Sequence, residues 1–566
     1  MNRRRGWIVV VGLVGALTVV VGRSVQIMVL EHDYWAKRAR NQQEKVIEAQ
    51  APRGQIRSAD GYVLATSVDR LAVQLDTEKL TFPELFVPAA APLLGCSAED
   101  LRRRIERGPR WAWLAQEVDR ETAEAIRSLA PDAIVMVPDA ERIYPMGALA
   151  APVVGFVGRE ELVTVGRSGL EHSYDDMLTG EPQEFLAVSD AVSRRLRLER
   201  MPDQNGRAGF DLDLTLNARL QAACELELGR VLETQRAKSI SAVVLEARTG
   251  SILALVSLPS YEPHRAGDFP DSNWRLRPVQ DAYEPGSTVK PMVAAAALAG
   301  GVIRPGERFD CRLKGARVAG RWMRDHVTPG LYTIDQVVVQ SANAGMIEIA
   351  QRMSPEELWR TFDAFGFGRR TNVGYPGESR GILPAVSSWS GLSQASLSLG
   401  QELTVTPLQL AMAYGAIANG GWLLQPQLVA RATGGKDTVN DLKQWRARVL
   451  GEALCLRIRG ILESVVSDGT GSLAAVPGYR IAGKTGTAQR AVGGSFDDIH
   501  HVAWFAGFLP QPDPSIVIVV AVEEPKEDFW ASTVAAPAFA RVAEAVVCHL
   551  GLPPTEPVAN VDGGSV

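Results

Sequence analysis

Cysteine is scarce in this 566-residue chain: there are five, at 96, 224, 311, 455 and 548, scattered, odd in number and without a C-x-x-C or Cys/His cluster. That excludes a disulfide framework and a cysteine zinc site, and most of the five read as small core hydrophobes. A basic excess is missing too. With a net charge of -5 and a pI near 6.0 the chain lacks the field that neutralises phosphates, which excludes nucleic acid as a partner. There is no fixed-period repeat and no low-complexity block, and only residues 553–566, rich in Pro, Gly and Val, read as a flexible tail. What is present, 46% hydrophobic and 22% charged residues, is the composition of a multidomain globular protein.

One apolar run stands out. After Arg3, Arg4 and Arg5 comes "GWIVVVGLVGALTVVVG", without a charge, then Arg23 and the apolar "SVQIMVL". This predicts a membrane anchor over residues 7–29, with residues 1–6 in the cytoplasm and everything after about residue 30 outside it. A cleaved signal peptide is the rival, but no small-x-small site is followed by a fresh polar start. Arg23 is placed to snorkel at the outer interface, followed by Tyr34 and Trp35 as interfacial aromatics. "EHDYWAKRARNQQEKVIEAQ" is polar and helix-prone, as a stalk. The arginine-rich stretches at 101–110 and 193–200 read as solvated faces.

From Asp211 the pattern sharpens. "DLDLTLNARLQAACELELGRVLE" reads as a short strand, a cap region at Thr215 to Asn217, and an amphipathic helix with Leu220, Cys224 and Leu228 on one face. "ISAVVLEA" and "SILALVSL" across "RTG" predict a hairpin, "HVAWFAGFLP" and "SIVIVVAVEE" across "QPDP" another strand pair, and Thr533 to Leu550 a closing helix. Strands at both ends of a helical middle make an α+β domain, one antiparallel sheet packed by helices.

Within that middle, "EPGSTVKP" (284–291) breaks the chain at Pro285-Gly286 and opens an alanine-rich helix. Residues three apart on a helix share a face, about 5 to 6 Å between Cβ atoms, so Ser287 and Lys290 are neighbours. A lysine kept neutral by burial can take a serine proton, and a helix N-terminus stabilises an oxyanion, so the pair suits acyl transfer. A capping serine explains the same four residues. Ser341-Ala342-Asn343 adds a hydroxyl and an amide able to relay a proton and hold a substrate amide. Lys484-Thr485-Gly486-Thr487, on an edge strand, adds a cation and hydroxyls for a carboxylate and a glycine that admits close backbone approach.

Together and in this order the three match the S-x-x-K, S-x-N and K-T-G signature of penicillin-binding proteins and serine β-lactamases. The chain resembles the class B penicillin-binding proteins, membrane-anchored transpeptidases of bacterial cell-wall synthesis. Beyond the triads the likeness is carried by "APRGQIRSADGYVLATS" (51–67), "ERIYPMGALAAPVVGFVG" (141–158), "GLEHSYDDMLTG" (169–180) and "LEARTGSILALVSLPSY" (245–261). "RPVQDAYEPGSTVKPM", "SLGQELTVTPLQLAMAYGAIANGG" and "VAWFAGFLP" are most similar to the FtsI-type division transpeptidases.

The resemblance implies an extracytoplasmic pedestal over 30–210, of the penicillin-binding protein dimerisation type, and a penicillin-binding transpeptidase domain over 211–552. It implies that Ser287 attacks the D-Ala-D-Ala carbonyl of a donor stem peptide, with Lys290 as base and Ser341 and Asn343 assisting. Lys484, Thr485, Gly486 and Thr487 are the implied substrate-binding set, and the N–H groups of Ser287 and Thr487 the oxyanion hole. An amine of a neighbouring stem peptide then takes the acyl group. No metal or organic cofactor is implied. The implied partners are peptidoglycan stem peptides, β-lactams as covalent inhibitors, the membrane, and an FtsW-like glycosyltransferase with other division proteins, at the septum of the inner membrane.

Two departures lie in the pedestal: "RSADG" (57–61) lacks the usual Asp-then-Arg pair, and Ala151-Pro152 stands where a His is common, which puts partner contacts in question. The long stretch a class A enzyme needs for its own glycosyltransferase domain is missing. The open alternatives are a lateral-wall transpeptidase, a D,D-carboxypeptidase, a β-lactamase or β-lactam sensor, and a non-catalytic scaffold. A class A lactamase needs a deacylating Glu, and no E-x-x-L-N string occurs.

Overall fold

The computed structural model describes residues 3–35, 44–49, 51–107, 111–160, 163–189, 196–200, 207–304, 306–434, 437–439, 445–492 and 495–557. The N-terminal helix Arg3–Val25 runs on through a wide turn, Gln26–Leu30. The span Trp7–Leu30, with mean hydropathy 2.2, is the one helix among the described residues long and apolar enough to cross a membrane. Its side chains are exposed, Leu13 and Leu17 among them, so the protein itself offers this apolar surface no cover.

The polar segment after it is helical at residues 32–35 but departs from the helix expected at 44–49. Glu44–Ala49 is a strand, antiparallel to Gln183–Ser189, which in turn pairs with Leu196–Arg200. Helix propensity is a weak prior, and here a partner strand more than a hundred residues away supplies the ladder that overrides it.

The three motifs of residues 51–180 meet in a buried ion cluster. Arg53 Nε and Arg142 Nε donate to opposite oxygens of Glu171, at 2.6 and 2.7 Å, and Arg53 Nη1 lies 2.6 Å from Asp175 Oδ1. Charges this deep persist only when paired and hydrogen-bonded, which these three stretches achieve together. At 101–110 the expectation of a solvated face holds where the structure describes it: Leu101 is buried and Arg102 and Arg103 are exposed. The side chains of 193–200 lie outside those described.

Residues 211–552 are tied to this unit by a shared sheet. Asp211–Leu214 pairs in parallel with Ile56–Arg57 and antiparallel with Val429–Gly434. Both departures from the family pattern lie on this seam rather than on an outer face. Asp60 accepts the Ala218 and Arg219 N–H groups at the start of helix α1 (Ala218–Thr234). Ala151 and Pro152 are buried, and their carbonyls accept the hydroxyls of Tyr261 and Tyr375. Those are backbone contacts, so losing a His there costs no hydrogen bond of this seam.

The catalytic-domain sheet follows from the runs read above. Strands β1 (Ser239–Glu246), β2 (Ile252–Leu258), β3 (Ala482–Val492), β4 (Ser495–Leu509) and β5 (Ile516–Glu523) are antiparallel, in the order β2-β1-β5-β4-β3. β5 is buried at every residue, which is why it reads as an unbroken apolar run. Helix α1, capped by Asn217, and the closing helix Ala535–Leu550 cover one face, with Leu220, Cys224 and Leu228 in that core. On the other face lies Pro407–Ala418, all twelve residues buried, hydrophobic on every side because the domain surrounds it. Cys224, Cys311 and Cys455 are buried and unpaired, as the sequence reading holds for most of the five. The tail begins later than composition indicates: Thr555 N and Glu556 N both donate to Gly478 O, while 558–566 lie outside the described residues.

Candidate active site

Pro285-Gly286 ends the incoming chain, and the residues after it form a tight turn, Gly286–Val289, before helix α2 (Lys290–Ala299). Ser287 stands in the turn and Lys290 at the first helical position, a tighter arrangement than one continuous helix. Two glycines let this turn press against its neighbours. A Cβ on Gly486 of edge strand β3 would sit 2.6 Å from Pro285 O, and one on Gly400 would sit 2.0 Å from Gly286 O. Gly400 also has φ +79, which suits glycine alone at no cost. The K-T-G strand and the "SLGQ" loop therefore clamp the serine turn from two sides.

Lys290 is fully buried, and its Nζ reaches Ser341 O at 2.6 Å, Asn343 Oδ1 at 2.7 Å and Ser341 Oγ at 3.3 Å. These bonds explain the geometry of the second triad. Ser341 follows helix α3 (Ile334–Val339) with φ +62, a strained position for serine, and there its carbonyl accepts from the lysine. Asn343 opens helix α4 (Asn343–Gln351), and its Nδ2 donates to Arg324 O. No hydrogen bond among the described residues joins Lys290 Nζ to Ser287 Oγ; empty sites often close that contact only around substrate. Burial pushes the Lys290 ammonium down to about 7, against the opposing negative charge of buried Asp325, whose Oδ2 accepts from Ala344 N. At neutral pH a neutral amine is therefore well populated, the form that can accept a proton.

Lys484 is equally buried, with Nζ 3.2 Å from Thr485 O. Desolvation, and then the charge of Lys290, pushes it well below its ordinary value. Thr485 Oγ1 pairs with Thr470 Oγ1 at 2.8 Å, and Thr487 Oγ1 accepts from Ala531 N. Of the residues singled out from sequence, Ser287, Ser341, Asn343, Thr485 and Thr487 line one cleft of ≈ 890 Å³. The two lysines lie behind them, and Gly486 serves as the packing contact described above.

Sequence reading missed several lining groups. Thr470 lies in "SDGTGS", a string that signals only a turn. His501 stacks on Phe529, and Trp530 meets His326 edge-on, an aromatic wall assembled from three segments. The search for a carboxylate by motif also fell short: Glu284, Asp325 and Glu402 all line the cleft. Glu284 stands in "EPGST", where the sequence reading gives it no role.

Comparison with known proteins now adds independent findings. Residues 240–544 match the penicillin binding protein transpeptidase domain and residues 48–214 the penicillin-binding protein dimerisation domain. The chain is 31% identical to the probable peptidoglycan D,D-transpeptidase PenA of Neisseria gonorrhoeae, over 95% of this chain and 91% of that protein. It is also 31% identical to the peptidoglycan D,D-transpeptidase FtsI of Escherichia coli, over 95% of this chain and 90% of that protein. Penicillin binding protein 3 of Mycobacterium tuberculosis, solved with aztreonam, superposes with a TM-score of 0.71 at 26% identity, covering 91% of this chain and 99% of the other.

Proposed function

The chain belongs to the class B penicillin-binding proteins, and from that membership we propose that it is a peptidoglycan D,D-transpeptidase working through a Ser287 acyl-enzyme, most fittingly in septal wall synthesis. The observation that carries the chemistry is Lys290: buried, held near 7, and tethered by Ser341 and Asn343 one helical turn from Ser287. In its neutral form it takes the Ser287 proton as Oγ attacks the carbonyl of the terminal D-Ala-D-Ala bond. The N–H groups of Ser287 and Thr487 receive the developing oxyanion. The proton passes, with Ser341 in reach, to the departing D-alanine amine. Thr485 and Thr487 hold the substrate carboxylate, and that negative charge draws a proton back onto Lys484, which burial and Lys290 otherwise depress. An amine from a neighbouring stem peptide then takes the acyl group.

In this reading residues 7–29 anchor the chain with residues 1–6 in the cytoplasm, 30–210 form the pedestal and 211–552 the transpeptidase domain. Polymerisation of glycan falls to an FtsW-like partner at the anchor and pedestal. Similarity to FtsI supports the septal assignment. A fluorescent penicillin tests the chemistry: a stoichiometric adduct mapped by mass spectrometry to Ser287, and abolished by Ser287→Ala, is the expected result, and an adduct on another serine sinks it. Depletion tests the role, since filaments with unfinished septa are expected, whereas round cells that still divide point to the lateral wall.

A further inference from the structure

We propose that Glu284 is the group that receives the acceptor, taking the first proton from its ammonium before the amine attacks the acyl-enzyme. The inference deepens the transpeptidase reading above and rests on it. Glu284 lines the same cleft as Ser287 and precedes it by three residues. Its main chain is held by the Trp504 indole, whose Nε1 donates to Glu284 O at 3.0 Å. Of its carboxyl oxygens, Oε1 accepts from Glu402 N at 2.9 Å, while Oε2 is buried with no hydrogen-bond partner among the described residues. A buried carboxyl oxygen left unmatched is unfavourable, and a proton donor brought by the acceptor would satisfy it.

The electrostatics agree with that geometry. Burial, and the charge of Glu402, push the Glu284 carboxyl up to about 7, so near neutrality it can both accept a proton and give it up. Glu402 is the charged neighbour that acts on it. Asp325, His326, Arg321, Arg324 and His501 line other parts of the cleft, with Lys290 and Lys484 behind. Thr485 and Thr487 of β3 and the carboxyls of Glu284 and Glu402 thus line one cleft, groups of the kinds that a carboxylate and an ammonium require.

An alkyl amine enters as an ammonium at neutral pH, since its ordinary pKa is about 10.4, and has no lone pair to attack with. Glu284 takes one proton and becomes a carboxylic acid. The freed amine attacks the acyl carbonyl, forming the C–N bond and breaking the C–Oγ bond, while its second proton passes through Lys290 to Ser287 Oγ. The enzyme ends with a free serine hydroxyl, an amide product and a protonated Glu284 that loses its proton to solvent.

The test compares acceptors on the full chain, using a thioester donor to form the acyl-enzyme. D-Alanine serves as an ammonium acceptor, hydroxylamine as an amine already neutral at the assay pH, and water as the reference. In Glu284→Gln, which keeps an oxygen for Glu402 N, partition to D-alanine over water is expected to fall at least about 10²-fold and partition to hydroxylamine to stay within about threefold. Glu284→Asp, which keeps the carboxyl, should recover part of the D-alanine partition. An equal loss for both amines, or no loss for either, overturns the proposal. A wild-type chain whose Ser287 does not acylate would instead sink the function assigned above.

Discussion

In the mechanism proposed, Lys290 governs the pH dependence of the first step. Only its neutral form can take the Ser287 proton, and burial holds its pKa near 7, so the rate of acylation by a β-lactam is expected to rise with pH through about 7 and then level off. Asp325 opposes that depression, because a negative charge favours the ammonium. Removing the charge with Asp325→Asn, which keeps an acceptor for Ala344 N, should therefore move the rising limb to lower pH. Lys290→Met preserves length and burial without a base, and should slow acylation at least about 10²-fold across the range. Stopped-flow traces of the three proteins decide the matter: a limb that stays put in Asp325→Asn removes Asp325 from the argument.

Among elements, the seam between helix α1 and the 141–158 segment is the most informative. Ala150, in a left-handed conformation at φ 52, donates its N–H to Glu225 Oε1 on α1, and Gln221 Nε2 donates to the same oxygen. Burial raises the Glu225 carboxyl to about 7, although two donors pull the other way. A carboxyl whose folded pKa lies above its unfolded value binds more protons when folded, so its contribution is fully present below about 4.5 and is lost as pH rises through about 7. Glu225→Gln keeps an acceptor for both donors and cannot ionise. Its melting temperature should therefore exceed that of the wild type at pH 8 but not at pH 4.5, by an amount equivalent to roughly 1 to 3 kcal/mol. Identical pH profiles for the two proteins would remove Glu225 from the seam's energetics.

On the scale of the whole molecule, one helix dictates placement. Trp7–Leu30 is long and apolar enough to cross a membrane, and Arg3, Arg4 and Arg5 precede it. The positive flank is expected to stay in the cytoplasm. Protease added to spheroplasts should then digest everything beyond a short N-terminal stub, whereas a protected fragment carrying Ser287 would reverse the orientation. The shared sheet adds that residues 56–57 and 429–434 are joined by backbone hydrogen bonds through Asp211–Leu214.

The sequence by itself determined the parts whose physics is local. The apolar N-terminal run, the hairpin runs of β1 and β2, the pair β4 and β5, the cap at Asn217 and the three short motifs that meet at one cleft were legible because periodicity, β-branching and residue spacing act over a few positions. Tertiary structure decided what depends on distant neighbours. Glu44–Ala49 became a strand because Gln183–Ser189 offers it a ladder. The two pedestal departures became seam contacts because Ala218, Tyr261 and Tyr375 reach them across the fold. The cleft's carboxylates and aromatic wall come from segments with no shared motif. Above all, the chemistry of Lys290 and Glu284 is a property of burial: a lysine or glutamate in the sequence carries its ordinary pKa, and only the packing of the domain around it, by removing water, moves that value to where the reaction needs it.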